Sequence, residues 1–290
     1  MPSLAYHAPQ SVQQAIALLA GNPAAQVMSG GTDLLVQMRS GRIAPGAIID
    51  LKRIAAMTGI RRLPDGGFAI GAATPCTALL ADAALAAAWP GVVEAANLIG
   101  SVQVRNRATM AGNLCNASPA ADSVPALIAA GATCLIAGPT GERVVAVQDI
   151  PASPGKTSLT AGEFLVEIHL PAAASGTADA YLRFIPRTEM DIAVVGVGAC
   201  LTIAADGTCT AARIGLGAVA PTALLAADAA RALIGTKLDD AALDRMAQAA
   251  MAICNPISDK RGTAEYRTAM AGVLAKRAVV IARDRAGANA

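Results

Sequence analysis

Aromatic residues are nearly missing from this chain, with three Phe, three Tyr and one Trp among 290 residues. Its cores must be filled by Ala, Val, Leu and Ile, and bases would find few rings to stack on. No basic run stands out either, and the net charge is only +2, which argues against nucleic-acid binding. Histidine is scarcer still. His7 and His169 are the only two, and the six cysteines (Cys76, Cys115, Cys134, Cys200, Cys209, Cys254) contain no C-x-x-C pair. A Cys/His metal cluster is therefore not expected, and the cysteines read as small, buried, reduced side chains. Every apolar stretch is broken by Gly, Pro or charge before the ~18 residues that a membrane span needs. The opening "MPSLAYHAPQSV" has neither a basic n-region nor an apolar h-region. No secretory signal is expected, and a cytoplasmic location follows by default, although a subunit exported with a partner's signal would look the same. There is no G-x-S-x-G nucleophile motif.

What is abundant is small apolar side chains. Hydrophobic residues make up 54% and charged residues 15% of the sequence, with a mean hydropathy of +0.48. So apolar a chain suggests burial against a partner. Along it, "SVQQAIALLAGNP" predicts a helix capped by Ser11 and stopped by Gly-Asn-Pro. "AQVM" and "AIIDLKRI" predict strands, "LLVQMRSG" a helix or irregular segment, and "GIRRLPDGGFAIGAAT" a hairpin. "TPCTALLADAALAAAWPGVVEAANLIG" predicts two helices broken at Trp89-Pro90. Further strands are expected around "GPTGE", from Phe164, in "YLRFIPR", and on both sides of the turn "AADG" between Cys200 and Cys209. The last 70 or so residues read as helices: "ALLAADAARALIG", "LDDAALDRMAQAAMAI" starting at Asp239-Asp240, and "TAEYRTAMAGVLAKRAVVIARDR". This order predicts an α+β protein of at least two units, with the boundary in the unpatterned segment 171–180.

Two stretches interrupt the apolar pattern with small polar residues. The first is Val27-Met28-Ser29-Gly30-Gly31-Thr32-Asp33-Leu34; the second runs through Thr109, Ala111, Gly112 and Asn113 to Ser118-Pro119 and Asp122. Glycine lets backbone N–H groups approach anionic oxygens, hydroxyls add donors, and a carboxylate suits a ribose or ribityl hydroxyl. On composition alone, a clamp for one extended anionic ligand and a pair of ordinary surface turns both stand open. A third stretch, "GLGAVA" at 215–220, fits G-x-G-x-x-A. Pro221 follows where a helix should already be under way, and no second strand ends in an acid about 20 residues on, so a turn is preferred to a dinucleotide fingerprint.

Taken together, "SGGTDLLVQMRSG", "VRNRATMAGNLCNASPAADSVPAL", "RFIPRTEMDIAVVGVGA" and "SDKRGTAEYRTAMAGVLAKRA" resemble the FAD-binding medium subunit of the molybdenum hydroxylases, the xanthine dehydrogenase and carbon monoxide dehydrogenase family. The resemblance runs through the whole chain in order. It implies a vanillyl-alcohol-oxidase (PCMH) type FAD-binding domain over residues 1–175, made of two α+β subdomains (about 1–57 and 58–175). It also implies a C-terminal α+β domain over 180–285, an antiparallel sheet backed by helices. By the same resemblance, Val27 to Leu34 wrap the FAD pyrophosphate, with Gly30 and Gly31 allowing close approach and Ser29 and Thr32 offering hydroxyls. Thr109 to Asn113 bind from the other side, with Ala111-Gly112 where relatives often carry two glycines. Asp122 matches an acid that holds an FAD hydroxyl. Leu165 and Arg183 match positions near the flavin ring or adenine, and Ile99 stands where some relatives carry an aromatic. Arg187 and Asp191 are expected to form an ion pair that links the domains.

The implied activity is electron transfer. FAD would be bound non-covalently, because neither histidine lies in a glycine loop. It would take electrons from two [2Fe–2S] clusters in a small partner and pass them to an external acceptor. A large molybdopterin-binding partner would hydroxylate the substrate, within a heterotrimer or a dimer of heterotrimers. Two other classes stay open from the residues: a stand-alone flavin-dependent oxidoreductase, for which no general base is apparent, and an FAD-free scaffold subunit.

Overall fold

The computed structural model describes residues 4–187 and 190–288. It opens with a parallel three-stranded sheet of β1 (Ala5–His7), β2 (Ala25–Met28) and β3 (Ala47–Asp50), ordered β1-β3-β2. Helix α1 (Val12–Gly21) crosses between β1 and β2, and Ser11 caps it by accepting a hydrogen bond from the Gln14 N–H. Helix α2 (Leu34–Arg39) follows β2 after the loop 29–33.

A five-stranded antiparallel sheet comes next. It is built from β4 (Ile60–Arg62), β5 (Phe68–Gly71), β6 (Thr133–Gly138), β7 (Gly141–Ala146) and, after the small hairpin β8 (Pro151–Ser153) and β9 (Lys156–Thr157), β10 (Phe164–Leu170). The order β4-β5-β10-β6-β7 puts β10 at its centre. Between β5 and β6 runs a helical stretch of α3 (Cys76–Ala81), α4 (Ala83–Ala88), α5 (Pro90–Asn97), α6 (Val102–Arg105), α7 (Met110–Cys115) and α8 (Ser123–Ala129). The expected break at Trp89-Pro90 is present, but the two predicted helices are three. The second break is at Asp82, whose carboxylate accepts from the Leu85 N–H at 2.8 Å and so ends α3 and caps α4.

The last sheet is antiparallel, in the order β11 (Thr177–Phe184), β12 (Val195–Ile203), β13 (Cys209–Gly217) and β14 (Leu224–Leu225). β11 begins inside the segment read as unpatterned. After α9 (Ala227–Arg231), shorter than the sequence suggests, come α10 (Asp240–Ala252), capped by Asp239, and α11 (Ala264–Ala288).

The two faces of this sheet differ. Ala178 and Ala180 of β11, Val195, Val197, Ala199 and Leu201 of β12, and Ile214 and Leu216 of β13 share a core with α10 and α11. The opposite face receives α8. Methyl groups added at Gly198, Gly215 or Gly217 would run into Pro125 of α8. This explains "GLGAVA": its glycines are the floor on which a proline-bearing helix rests, and the left-handed Ala218 (φ +64°) turns the chain so that its N–H donates to the Pro119 carbonyl.

Arg187 and Asp191 do pair, at 3.2 Å, but they do not join the domains. Asp191 also accepts from Arg261 at 3.1 Å, so the contact ties the loop after β11 to the turn before α11, both in the C-terminal part. No helix among the described residues is long and apolar enough to cross a membrane.

Candidate cofactor site and its relatives

The two small-residue loops meet. A methyl group built on Gly30 would overlap the carbonyl oxygen of Arg107 and lie 3.0 Å from Ala108 Cα, so glycine is required here by the second loop. Gly31 takes a left-handed φ of +79°, which turns the chain from β2 into α2. The helices that follow the loops are also joined, by Gln37 Nε2 donating to Asn116 Oδ1 at 3.1 Å. The Ala108 carbonyl accepts from the Cys76 N–H at 2.8 Å, which anchors the second loop from behind.

Each loop presents backbone donors. The N–H groups of Gly30, Gly31, Thr32 and Asp33 have no acceptor among the described residues; nor do those of Met110 and Ala111. Thr109 caps α7 by accepting from the Gly112 N–H at 2.9 Å and is buried. Ala111 is helical, so its side chain does not prevent its N–H from pointing along the opening turn. Six N–H donors without an acceptor, on two touching loops, are the kind of group that suits a doubly anionic pyrophosphate. The arrangement fits the chemistry of FAD.

The other expected residues fall in two groups. Val27 and Met28 end β2, and Leu34 opens α2, so these three carry the loop. Ser29 gives its carbonyl to Lys52 Nζ at 2.8 Å. Asn113 Oδ1 accepts from both the N–H and the hydroxyl of Ser123, pinning α7 to α8 and leaving only its Nδ2. Ile99 and Leu165 are buried in the main core. Asp122 and Arg183 are paired with each other. Arg183 Nη1 donates to Asp122 Oδ2 at 2.9 Å and to the Leu98 carbonyl, and the Tyr181 hydroxyl donates to Asp122 Oδ1 at 3.3 Å. Burial pushes the Asp122 carboxyl up to about 6 against the opposing pull of Arg183. Its carboxylate thus joins α8 to β11 across the two halves of the chain.

That junction continues in a network the motifs did not announce. Asp179 of β11, 1% exposed, accepts from the N–H groups of Gly91 (2.8 Å) and Val92 (3.0 Å), capping α5 from another strand. Burial pushes its carboxyl up to about 7. Glu94 accepts from the Tyr181 N–H and pairs with Arg285 near the end of α11, while Arg285 also donates to the Asp179 carbonyl at 2.8 Å. The nucleophile inventory is poor. Burial pushes the Cys76 and Cys115 thiols, beside the second loop, up to about 12. His169 lies on β10 against Glu167 at 2.8 Å. Among the described residues no three His, Cys, Asp or Glu side chains gather as a metal site.

An α+β fold whose first two sheets bring together two glycine loops with N–H groups lacking an acceptor is what a flavin-binding protein would use, and the comparisons name the family. Residues 2–173 match the family described as the FAD binding domain in molybdopterin dehydrogenase, and residues 180–282 match the CO dehydrogenase flavoprotein C-terminal domain; the chain belongs to this family. It is 38% identical over 285 residues to the carbon monoxide dehydrogenase medium chain of Afipia carboxidovorans, covering 98% of both chains. It is 31% identical over 283 residues to the xanthine dehydrogenase FAD-binding subunit of Escherichia coli O157:H7, covering 97% of both. A solved structure of carbon monoxide dehydrogenase from Hydrogenophaga pseudoflava, lacking the Mo-pyranopterin moiety of its molybdenum cofactor, superposes with a TM-score of 0.93 at 38% identity, over 98% of this chain and 99% of that one.

Proposed function

We propose that this chain is the FAD-carrying electron-transfer subunit of a multi-subunit molybdenum hydroxylase. The observation that carries this is the cradle: two touching glycine-bearing loops with N–H groups of Gly30, Gly31, Thr32, Asp33, Met110 and Ala111 left for an anion. These residues would hold the pyrophosphate, with hydroxyl help from Ser29 and Thr32, while Gly112 and Thr109 keep α7 in register. Asn113 offers its Nδ2. Ile99 and Leu165 act from the core behind the site, and Asp122 and Arg183 act as a pair. Residues 1–175, as subdomains of about 1–57 and 58–175, form the cofactor unit, and 180–285 the C-terminal unit. When bound, FAD supplies the exchange between electrons arriving from iron–sulfur clusters and those leaving to an external acceptor.

The chain contributes binding, orientation and exclusion of water rather than substrate chemistry, consistent with the raised thiols of Cys76 and Cys115 and with neither histidine lying in the loops. The flavin is non-covalent on the same ground. The relatives named as a medium chain and an FAD-binding subunit, and the molybdenum cofactor of the Hydrogenophaga enzyme, support a large molybdopterin-binding partner. A small partner with two [2Fe–2S] clusters completes a heterotrimer or a dimer of heterotrimers, placed in the cytoplasm.

The test is a visible absorption spectrum of the native complex before and after acid precipitation. Flavin bands near ~450 nm that pass to the supernatant as FAD, with molybdenum and iron in the same preparation, are expected. Flavin without those metals would favour a stand-alone oxidoreductase, and a colourless protein would remove the cofactor reading.

A further inference from the structure

Behind the first loop runs a polar chain that the cradle described so far does not use. Asp50, at the end of β3, is 5% exposed. Its Oδ2 accepts from the Tyr6 hydroxyl of β1 at 2.7 Å. Its Oδ1 accepts from the Lys52 N–H at 3.1 Å and from Lys52 Nζ at 2.6 Å. Lys52 Nζ then donates to the Ser29 carbonyl at 2.8 Å. One ammonium thus bridges a buried carboxylate and the peptide that links Ser29 to Gly30.

In a trans peptide the C=O of one residue and the N–H of the next point in opposite directions. A cation fixed on the Ser29 carbonyl therefore turns the Gly30 N–H away from β3, and that N–H has no acceptor among the described residues. This peptide needs such a restraint more than most. It leads into two consecutive glycines, and glycine lacks the side chain that narrows φ and ψ elsewhere. Asp50 is itself held by the Tyr6 hydroxyl and the Lys52 N–H, so the ammonium is fixed in position. The pair is close to neutral, so its effect is to aim a donor rather than to attract an anion over a distance.

We propose that Lys52 is a positioning residue for the cofactor: held by Asp50 and Tyr6, it locks the Ser29–Gly30 peptide so that the Gly30 N–H faces the pyrophosphate of FAD. This rests on the reading of the loop as the pyrophosphate site. Lys52 touches no part of the cofactor in this role, and the polar chain gives the first sheet a direct hold on the loop geometry.

The test uses the whole complex, stripped of flavin and titrated with FAD and separately with FMN, which lacks the pyrophosphate. For Lys52→Met, FAD affinity should fall about tenfold, the loss of one well-aimed donor, while FMN affinity stays within about twofold. The ³¹P resonances of bound FAD should move toward their free positions. Lys52→Arg should recover part of both signals, and Tyr6→Phe, at the far end of the chain, should show a smaller change in the same direction. Wild-type ³¹P resonances displaced from free FAD but identical in Lys52→Met would overturn the positioning role and leave the loop reading intact. Equal losses for FAD and FMN in both Lys52→Met and Tyr6→Phe would make the chain a general scaffold and also overturn it. Wild-type resonances at their free positions would remove the loop reading and this proposal together.

Discussion

The C-terminal sheet is held by two unlike surfaces. Toward α10 and α11 it shows Ala, Val, Leu and Ile, and is held by buried apolar area. Toward α5 and α8 it shows Gly196, Gly198, Gly215 and Gly217, with Asp179, Tyr181, Arg183 and Arg213 among them. That face is held by close backbone approach and by charged groups paired across the halves of the chain. One face tolerates shape changes at the cost of volume lost; the other depends on atoms that are absent and on charges that stay matched.

The largest effect should come from the apolar face. Leu216→Ala leaves a cavity and should cost about 2–5 kcal/mol, read from chemical denaturation and independent of pH near neutrality. On the other face of the same strand, Gly215→Ala adds one carbon that overlaps the Pro125 carbonyl oxygen. About 1–3 kcal/mol is expected, for an atom gained rather than lost. If Gly215→Ala melts like wild type, the account of close approach fails.

Asp179→Asn should cost about 1–2 kcal/mol, because one of the two α5 N–H groups loses its acceptor. It should also change the pH dependence. The Asp179 carboxyl is raised to about 7 from an ordinary 3.8. Between these values the folded form binds its proton more tightly than the unfolded chain does, so the stability this group contributes is full at the acid end and lost as pH rises toward 7. The variant should flatten that slope in thermal melts from pH 5 to 8, whereas Leu216→Ala should leave the slope unchanged. The smallest effect, about 1 kcal/mol, is expected for Arg213→Met, which removes two donors (3.0 and 3.1 Å) from the Ile128 carbonyl at the end of α8.

The two faces also divide what was legible in the chain. Alternating Val and Leu in β12 and the helical periodicity of α10 follow from local rules, as do the caps at Ser11 and Asp239. The glycine loops stood out because two glycines in an apolar run have few uses. What stayed hidden depends on partners far along the chain. Gly30 looks like a residue that clears space for a ligand, and nothing near it in sequence shows that the Arg107 carbonyl also lies against it. Asp122 reads as a ligand-binding acid, and its pairing with Arg183, from a strand some 60 residues later, leaves no local trace. The break at Asp82 is masked by the louder Trp89-Pro90 signal nearby. Lys52 is not legible because a lysine and an arginine after a strand look like ordinary solvated charge, and the carbonyl it holds belongs to another strand's end.

The capping of α5 by Asp179 has a consequence in time. As the chain leaves the ribosome, the N–H groups of Gly91 and Val92 emerge 88 and 87 residues before their acceptors. This helix of the first half therefore cannot be completed when it is made. It waits for β11, and Arg285, which braces the same spot, arrives a further 106 residues after Asp179. Contacts this distant in sequence form slowly, and the nascent first half exposes the helix surface that the glycine-floored sheet will cover. Assembly should accordingly be governed by the arrival of α11, and truncation within α11 should leave a first half that forms its sheets but is trapped by chaperones.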